Sequence, residues 1–284
     1  MPELEHLDRR RRQLAEVLRD LRRAAGLSGA RLAARTGMSQ SKISKIETGR
    51  IRPAVADVER IVVALGVPDD ARRPIIELAR NANLSFITVR AIRQAGLHVR
   101  QRVIAGIEDQ AREIRCFQPA MVPGLLQIPG YVRAVLSLPT VAGATDPAPA
   151  VLARLERQAI LHAPGRRFWF LVTEAALRTR LCADSVMAVQ IEHIVALSRL
   201  VDVSVLPLAG RMPEIPTTAF VLFDRRLVTV ETFHGELEMR DPKDIGLYAE
   251  IYTLLDRVAL HADAARDFLS GLAAEYRDGG ITAD

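Results

Sequence analysis

Apolar residues recur at three- and four-residue spacing along the first third of the chain, the periodicity of helices that bury one face. Leu14, Val17, Leu18 and Leu21 predict a helix that follows the basic run Arg9 to Arg12 and continues through Ala25. Leu32 with Ala33, Ile43 with Ile46, and VERIVVALGV from Val58 to Val67 predict three more, the last ended by Gly66 and Pro68. Asp69 to Asn83 reads as a further short helix that tolerates Pro74 near its start. Val89, Ile92, the Val99 to Ile107 segment and Ile114 keep helical spacing, which gives two connecting helices from about Phe86 to Arg115. Beyond them the period changes. Strand-like runs fall at Phe168 to Thr173, Asp202 to Leu206, Ala219 to Phe223 and Leu227 to Thr232. Helical stretches lie near Pro129 to Leu136, Val151 to Leu161, Asp184 to Leu200, Pro242 to Leu260 and Ala262 to Tyr276. Asp224, Arg225 and Arg226 between the last two strand runs predict a hairpin, so that pair is expected to be antiparallel. The proline-bearing stretch Leu138 to Ala150 reads as a loop.

From Ser28 to Arg52 the residue types meet the needs of two short helices crossing at a steep angle. Ser28 and Ser39 are N-cap residues, and Gly37 supplies the positive φ of a tight turn. Ala33 is small enough for close approach, and Met38 fills the corner. On the second helix Ile43 and Ile46 face inward, whereas Gln40, Ser41, Ser44 and Lys45 share the outer face. That outer face suits base edges in a major groove: Gln pairs with adenine, Lys reaches guanine acceptors, and Ser serves several edges.

Charge sharpens this picture. Residues 1–80 hold 17 Arg plus Lys against 11 Asp plus Glu, although the whole chain carries only +5. Between Ser28 and Arg52 six basic residues, Arg31, Arg35, Lys42, Lys45, Arg50 and Arg52, stand against the single acid Glu47. A local positive field of this kind fits phosphates, and Arg31, Lys42, Arg50 and Arg52 are the expected phosphate contacts. Two of the chain's three lysines, Lys42 and Lys45, lie on the expected reading helix.

Leu27 to Val67, with its Ala33, Gly37, Ile43 spacing and ISKIETGRIRP from Ile43 to Pro53, resembles the helix-turn-helix module of phage-repressor and Cro-like regulators, the XRE family. The resemblance extends through Glu108 and Ala111, VPGLLQ from Val122 to Gln127 with Tyr131, and RLERQAIL from Arg154 to Leu161. It continues in WFLVTEAAL from Trp169 to Leu177, VSVLP from Val203 to Pro207 and VETF from Val230 to Phe233. These match a group of actinobacterial regulators whose PGLLQ-containing second domain is described as antitoxin-like. The residue pattern and the resemblance together predict an α+β protein with a helix-turn-helix DNA-binding domain at 1–68 and a helical connector at 69–115. A regulatory and dimerisation domain would follow at 116–284, built on a small, mostly antiparallel sheet packed by helices.

Enzymatic chemistry has little support in the pattern. Glu174 and Glu231 fall near strand ends and could converge as an acid and base pair, but Arg154, Arg157 and Arg178 are equally available to pair with them. No nucleophile elbow, HExxH or phosphate loop accompanies them. Gly124 in PGLLQ lacks the partner glycines and lysine of a phosphate loop, so Pro123 and Gly124 are expected to form a tight turn that points Leu125 and Leu126 into the core. The six histidines show no i, i+3 or i+4 pair, and Cys116 and Cys182 stand isolated as expected buried thiols, so neither a metal nor a cofactor is expected. No run of 18 apolar residues occurs and MPELEHLDRRRR has no apolar core, which points to the cytoplasm and away from a membrane.

The function expected from this pattern is a sequence-specific transcription regulator, homodimeric on a palindromic operator in double-stranded DNA. The second domain is expected to sense a small partner protein or a small-molecule effector. The alternative is an antitoxin-like protein-binding module that sequesters a small partner and autoregulates its operon.

Overall fold

The structure, a computed structural model, describes residues 2–142 and 146–279, with side chains from Arg10 onward apart from Thr140 and Ala142. It divides into two compact units: residues Met1–Ile87 with Leu237–Asp244, and residues Thr88–Glu236 with Ile245–Asp284. The chain therefore crosses from one unit to the other three times.

The first unit contains α1 (Pro2–Ala24), α2 (Gly29–Thr36), α3 (Gln40–Glu47), α4 (Val55–Ala64) and α5 (Asp69–Asn83). The apolar stripes read from the sequence become one core: Leu14, Leu18, Leu32, Ile43, Ile46, Val58 and Ile61 are almost fully buried together. Ala79 and Ala82 of α5 enter the same cluster. One expectation changes here. The run Arg9 to Arg12 does not precede the first helix but lies inside it, because α1 begins at Pro2; the side chain of Arg9 is outside the described residues.

β1 (Leu84–Thr88) closes the opening stretch of the first unit, and the second unit opens with α6 (Val89–Ala95), α7 (Leu97–Glu108) and β2 (Glu113–Gln118). After a 3-10 turn at Gly124–Leu126 come α8 (Pro129–Leu136), α9 (Pro139–Ala142), α10 (Ala148–Arg157) and a second 3-10 turn at Gln158–His162. The remainder of the chain is β3 (Arg167–Thr173), α11 (Glu174–Arg178), α12 (Asp184–Leu197), β4 (Asp202–Leu206), β5 (Phe220–Phe223), β6 (Leu227–Thr232), β7 (Gly235–Met239), α13 (Pro242–Asp256) and α14 (Ala262–Arg277), of which Leu237–Asp244, most of β7 and the start of α13, belongs to the first unit.

The α+β class stands, but the sheet differs from the four mostly antiparallel strands expected. It has seven strands in the order β1-β7-β6-β5-β2-β3-β4, and it is mixed. β2, β3 and β4 run parallel, with Cys116 opposite Phe170 and Phe170 opposite Val203, whereas β5 pairs antiparallel with β2 and β6. The predicted β5–β6 hairpin is present, turning at Asp224 with φ 52. Phe86 and Ile114, expected on connecting helices, lie on strands. The Leu138 to Ala150 stretch contains α9 and the start of α10, and residues 143–145 are outside the described ones.

Alternation within the strands explains the layering. Ile114, Cys116, Phe168, Phe170, Val172, Val203 and Val205 join a cluster with Met187 and Ile191 of α12 and Leu269 and Leu272 of α14. On β2 and β5, Phe117 and Phe220 meet with ring centroids 5.4 Å apart, and Tyr248 of α13 packs against Phe220 at 5.0 Å.

Candidate nucleic-acid interface

The reading head is built from local signals. Ser28 Oγ accepts the Arg31 N–H at 3.2 Å and Ser39 Oγ accepts the Lys42 N–H at 3.1 Å, so both expected N-caps form. Gly37 ends α2 in the left-handed region (φ 67, ψ 24), and Met38 N–H returns to Ala33 O at 3.0 Å. Any residue with a Cβ would be strained at that backbone angle. Ile43 and Ile46, each 1% exposed, anchor α3 to the core. Gln40, Ser41, Ser44 and Lys45 are all exposed and, at positions i, i+1, i+4 and i+5, share one face.

Arg31 and Arg50 are exposed, and Arg52 is half-buried. The loop carrying the last two leaves α3 through a tight turn in which Lys45 O accepts the N–H groups of Arg50 at 2.9 Å and Ile51 at 3.3 Å. Lys42 is placed differently: its Nζ lies 2.7 Å from Asp57 Oδ2, a carboxylate 7% exposed that Arg60 also holds at 2.6 Å. A clamp not anticipated from the sequence fixes the C-terminal end of α3. Arg22 of α1 donates from Nε and Nη2 to the two oxygens of Glu47 at 2.6 and 2.8 Å, and from Nη1 to Leu27 O at 2.7 Å. The hydrogen bond to Glu47 holds the Arg22 pKa above its ordinary value against the cost of burial. Such two-pronged, charge-assisted bonding fixes geometry as well as adding energy. Arg22, four residues before the exposed Gly26 turn and with Glu47, 25 residues on, as the first acid after it, was the available signal.

In the second unit the motifs near Glu108, Gln127 and Arg154 converge on one polar cluster. Arg157 binds Glu108 in two-pronged fashion at 2.9 and 3.0 Å and donates to Gln101 Oε1 at 2.5 Å. Arg154 donates to Gln127 Oε1 at 2.8 Å and Gln101 Oε1 at 3.3 Å. Gln158 Nε2 donates to Gln127 O at 2.6 Å, and Gln190 Nε2 to Leu126 O at 2.7 Å, so the turn after Pro123 is held from three sides. Leu125 and Leu126 are buried, as the turn reading expects. Burial, reinforced by the neighbouring Arg157 charge, pushes the Arg154 pKa down to about 10. Burial also raises the Glu108 carboxyl, with Arg157 pulling the other way.

Glu174 is engaged at both oxygens, by Arg178 Nε at 2.7 Å and by the Leu208 N–H at 2.9 Å. Burial opposes its charge, but these donors hold its carboxyl below the usual value. Glu231 is exposed. Cys116 is buried, its thiol pushed up to about 12 chiefly by burial, and Cys182 is half-buried; both are free thiols. Among the described residues, no group of three or more His, Cys, Asp or Glu is placed to hold a metal ion, and no helix is long and apolar enough to cross a membrane.

Two family models match the chain: a helix-turn-helix domain over residues 13–75, and a domain of unknown function (DUF5753) over residues 101–271. No curated protein matches it. Among solved structures, similarity is found to Nuc, a phospholipase D family member from Salmonella typhimurium. The identity is 10%, the TM-score 0.35, and the match covers 57% of this chain and 90% of that one. Similarity is also found to TrmBL2, an archaeal chromatin protein, at 11% identity and a TM-score of 0.31, covering 72% of this chain and 66% of that one. At these values neither likeness establishes a shared fold.

Proposed function

The chain belongs to the DUF5753 family and carries a helix-turn-helix domain ahead of that region, and from this premise we propose that it is a sequence-specific DNA-binding transcription regulator acting as a homodimer. The observation that carries the reading is the exposed polar face of α3, Gln40, Ser41, Ser44 and Lys45, on a helix capped at its start by Ser39 and clamped at its end by Arg22. A reading helix needs both properties: donors and acceptors turned outward, and a rigid seat. In this reading those four side chains meet base edges, and Arg31, Arg50 and Arg52 meet phosphates. Lys42 reaches a phosphate only by exchanging Asp57 for it. One head spans few base pairs, so two heads about 34 Å apart on a palindrome supply useful specificity.

The second domain, in this proposal, is a sensor and not a catalyst. Supporting that view, both oxygens of Glu174 are committed to Arg178 and the Leu208 N–H. Its effector is a small partner protein, as the antitoxin-like resemblance implies, or a small molecule, and a DNA-binding role implies the cytoplasm. Anisotropy titration against a labelled duplex from upstream of the chain's own coding region, beside a shuffled control, tests the reading. A gap of roughly a thousandfold or more is expected for a specific site. Equal, steeply salt-dependent binding to both defeats sequence-specific regulation. A small protein that co-purifies at fixed stoichiometry identifies the effector as a partner, and a small molecule released on denaturation identifies it as a ligand.

A further inference from the structure

Helix α4 opens without a cap of its own. The two helices before it start on serine hydroxyls, whereas the position before α4 is Ala54, extended at φ −60 and ψ 151, with no side-chain bond to the helix start. The first N–H of α4, that of Val55, donates instead to Asp241 Oδ2 at 3.0 Å. The other oxygen of that carboxylate accepts the Lys243 N–H at 2.9 Å. Asp241 is buried at the N-terminal end of this ten-residue helix. The surroundings fix the same spot. Asn83 Nδ2 donates to Pro53 O at 2.8 Å and to Ala79 O at 3.0 Å, and the Arg240 N–H donates to Asn83 O at 3.1 Å. All these residues belong to the first compact unit.

Pro53 and Ala54 close the loop that carries Arg50 and Arg52, and Lys45 O pins its other end. We propose that Asp241 is a positioning residue for DNA binding. By holding the start of α4 it sets the downstream end of the Arg50–Arg52 loop, so phosphate contact depends on a carboxylate 186 residues away in sequence from the N–H it accepts. The inference rests on the DNA-binding reading. Leu237, which opens the stretch carrying Asp241, follows Glu236 of the larger unit directly in sequence.

The test uses the full chain, its Asp241→Ala variant, and the double variant Asp241→Ala with Ala54→Ser, which supplies a local cap at the start of α4. Each is titrated by anisotropy against the upstream duplex and the shuffled control over a range of salt, and hydrogen exchange at the Val55 amide is followed in parallel. Asp241→Ala is expected to weaken binding to both duplexes about fivefold, the order of one lost cap. The salt slope should fall by about 1, as for one lost phosphate contact, while Val55 exchanges faster and the ratio between duplexes stays unchanged. The double variant is expected to recover affinity and slope. A lowered thermal midpoint with unchanged affinity and slope, or a loss that Ala54→Ser does not recover, overturns the inference and leaves the DNA-binding reading standing. Wild-type protein that binds neither duplex overturns both.

Discussion

Arginine serves opposite ends in the two units. Around α3, Arg31 and Arg50 stand exposed on a surface that holds a single acid between Ser28 and Arg52, and that acid, Glu47, is already taken by Arg22. In the larger unit Arg154 and Arg157 are drawn inward and occupied by Glu108, Gln101 and Gln127. The two sets are chemically identical, so an arginine count alone marks neither role. Exposure and the presence of a carboxylate within bonding distance separate a side chain available to a phosphate from one that holds a fold together.

The contrast breaks most visibly at Arg157. Arg157→Ala leaves Glu108, whose side chain is 5% exposed, without its partner, and is expected to destabilise the larger unit by about 3–5 kcal/mol. Denaturant unfolding of the full chain measures this. Glu108 already has a raised folded pKa, so the stability linked to its proton is present below the unfolded value and lost as pH rises through the folded one. Removing Arg157 raises that carboxyl further. The deficit of the variant should therefore be smallest below about pH 4, where the unfolded chain is protonated too, and grow as pH rises. A deficit independent of pH refutes a buried, Arg157-stabilised carboxylate.

On the exposed side the effects are smaller and fall on binding. Lys45→Ala is expected to cost about 1–3 kcal/mol against the preferred base pair and to relax preference at one position of the operator. Arg50→Ala should weaken all duplexes alike and reduce the salt slope by about 1. Titrations against singly substituted operators separate the two, and identical behaviour would erase the division between base and phosphate contacts.

The smallest effect concerns a charge between these extremes. Asp224, at the β5–β6 turn, accepts the N–H groups of Arg112 and Glu113, each at 2.9 Å, and pairs with Arg226 at 2.9 Å. Burial opposes its ionisation, but these donors keep its carboxyl below the usual range. Its contribution is thus present above the unfolded value and lost as pH falls through the depressed folded one. Asp224→Asn, which tolerates the turn's left-handed backbone, should cost about 1 kcal/mol at neutral pH and close on wild type below about pH 4. Thermal melts across that range check it.

What the sequence disclosed follows from the range of each signal. Ser28, Gly37, Ser39, Ile43 and Ile46 act within a few residues of their partners, so the head was legible down to its caps. The strands with aromatic and β-branched runs, β3, β4, β5 and β6, were legible for the same reason. β2 was not. It lies between β3 and β5, and EIRCFQ turns Cys116 and Phe117 to opposite faces that are both covered, so no clean polar alternation marks it. Its Ile114 was absorbed into the helical spacing before it. Phe86 to Thr88 of β1 were absorbed into the helical reading that began near Phe86, and GELEM of β7 carries no aromatic or β-branched residue. The motifs around Glu108, Gln127 and Arg154 were visible singly, but their meeting is tertiary. The ion pair of Lys42 with Asp57 and the bond from Val55 to Asp241 are also tertiary, and no local pattern announces either.

The interleaving of the two units sets a timetable for biosynthesis. The first 87 residues leave the ribosome early, yet the stretch 237–244 that completes their compact unit is not translated until about 150 residues later. At an elongation rate of about 5–20 residues per second, that is a delay of roughly 8–30 s. During it the nascent head lacks the carboxylate at the start of α4. In the proposed reading the Arg50–Arg52 loop therefore reaches its final seat only after most of the larger unit has been made.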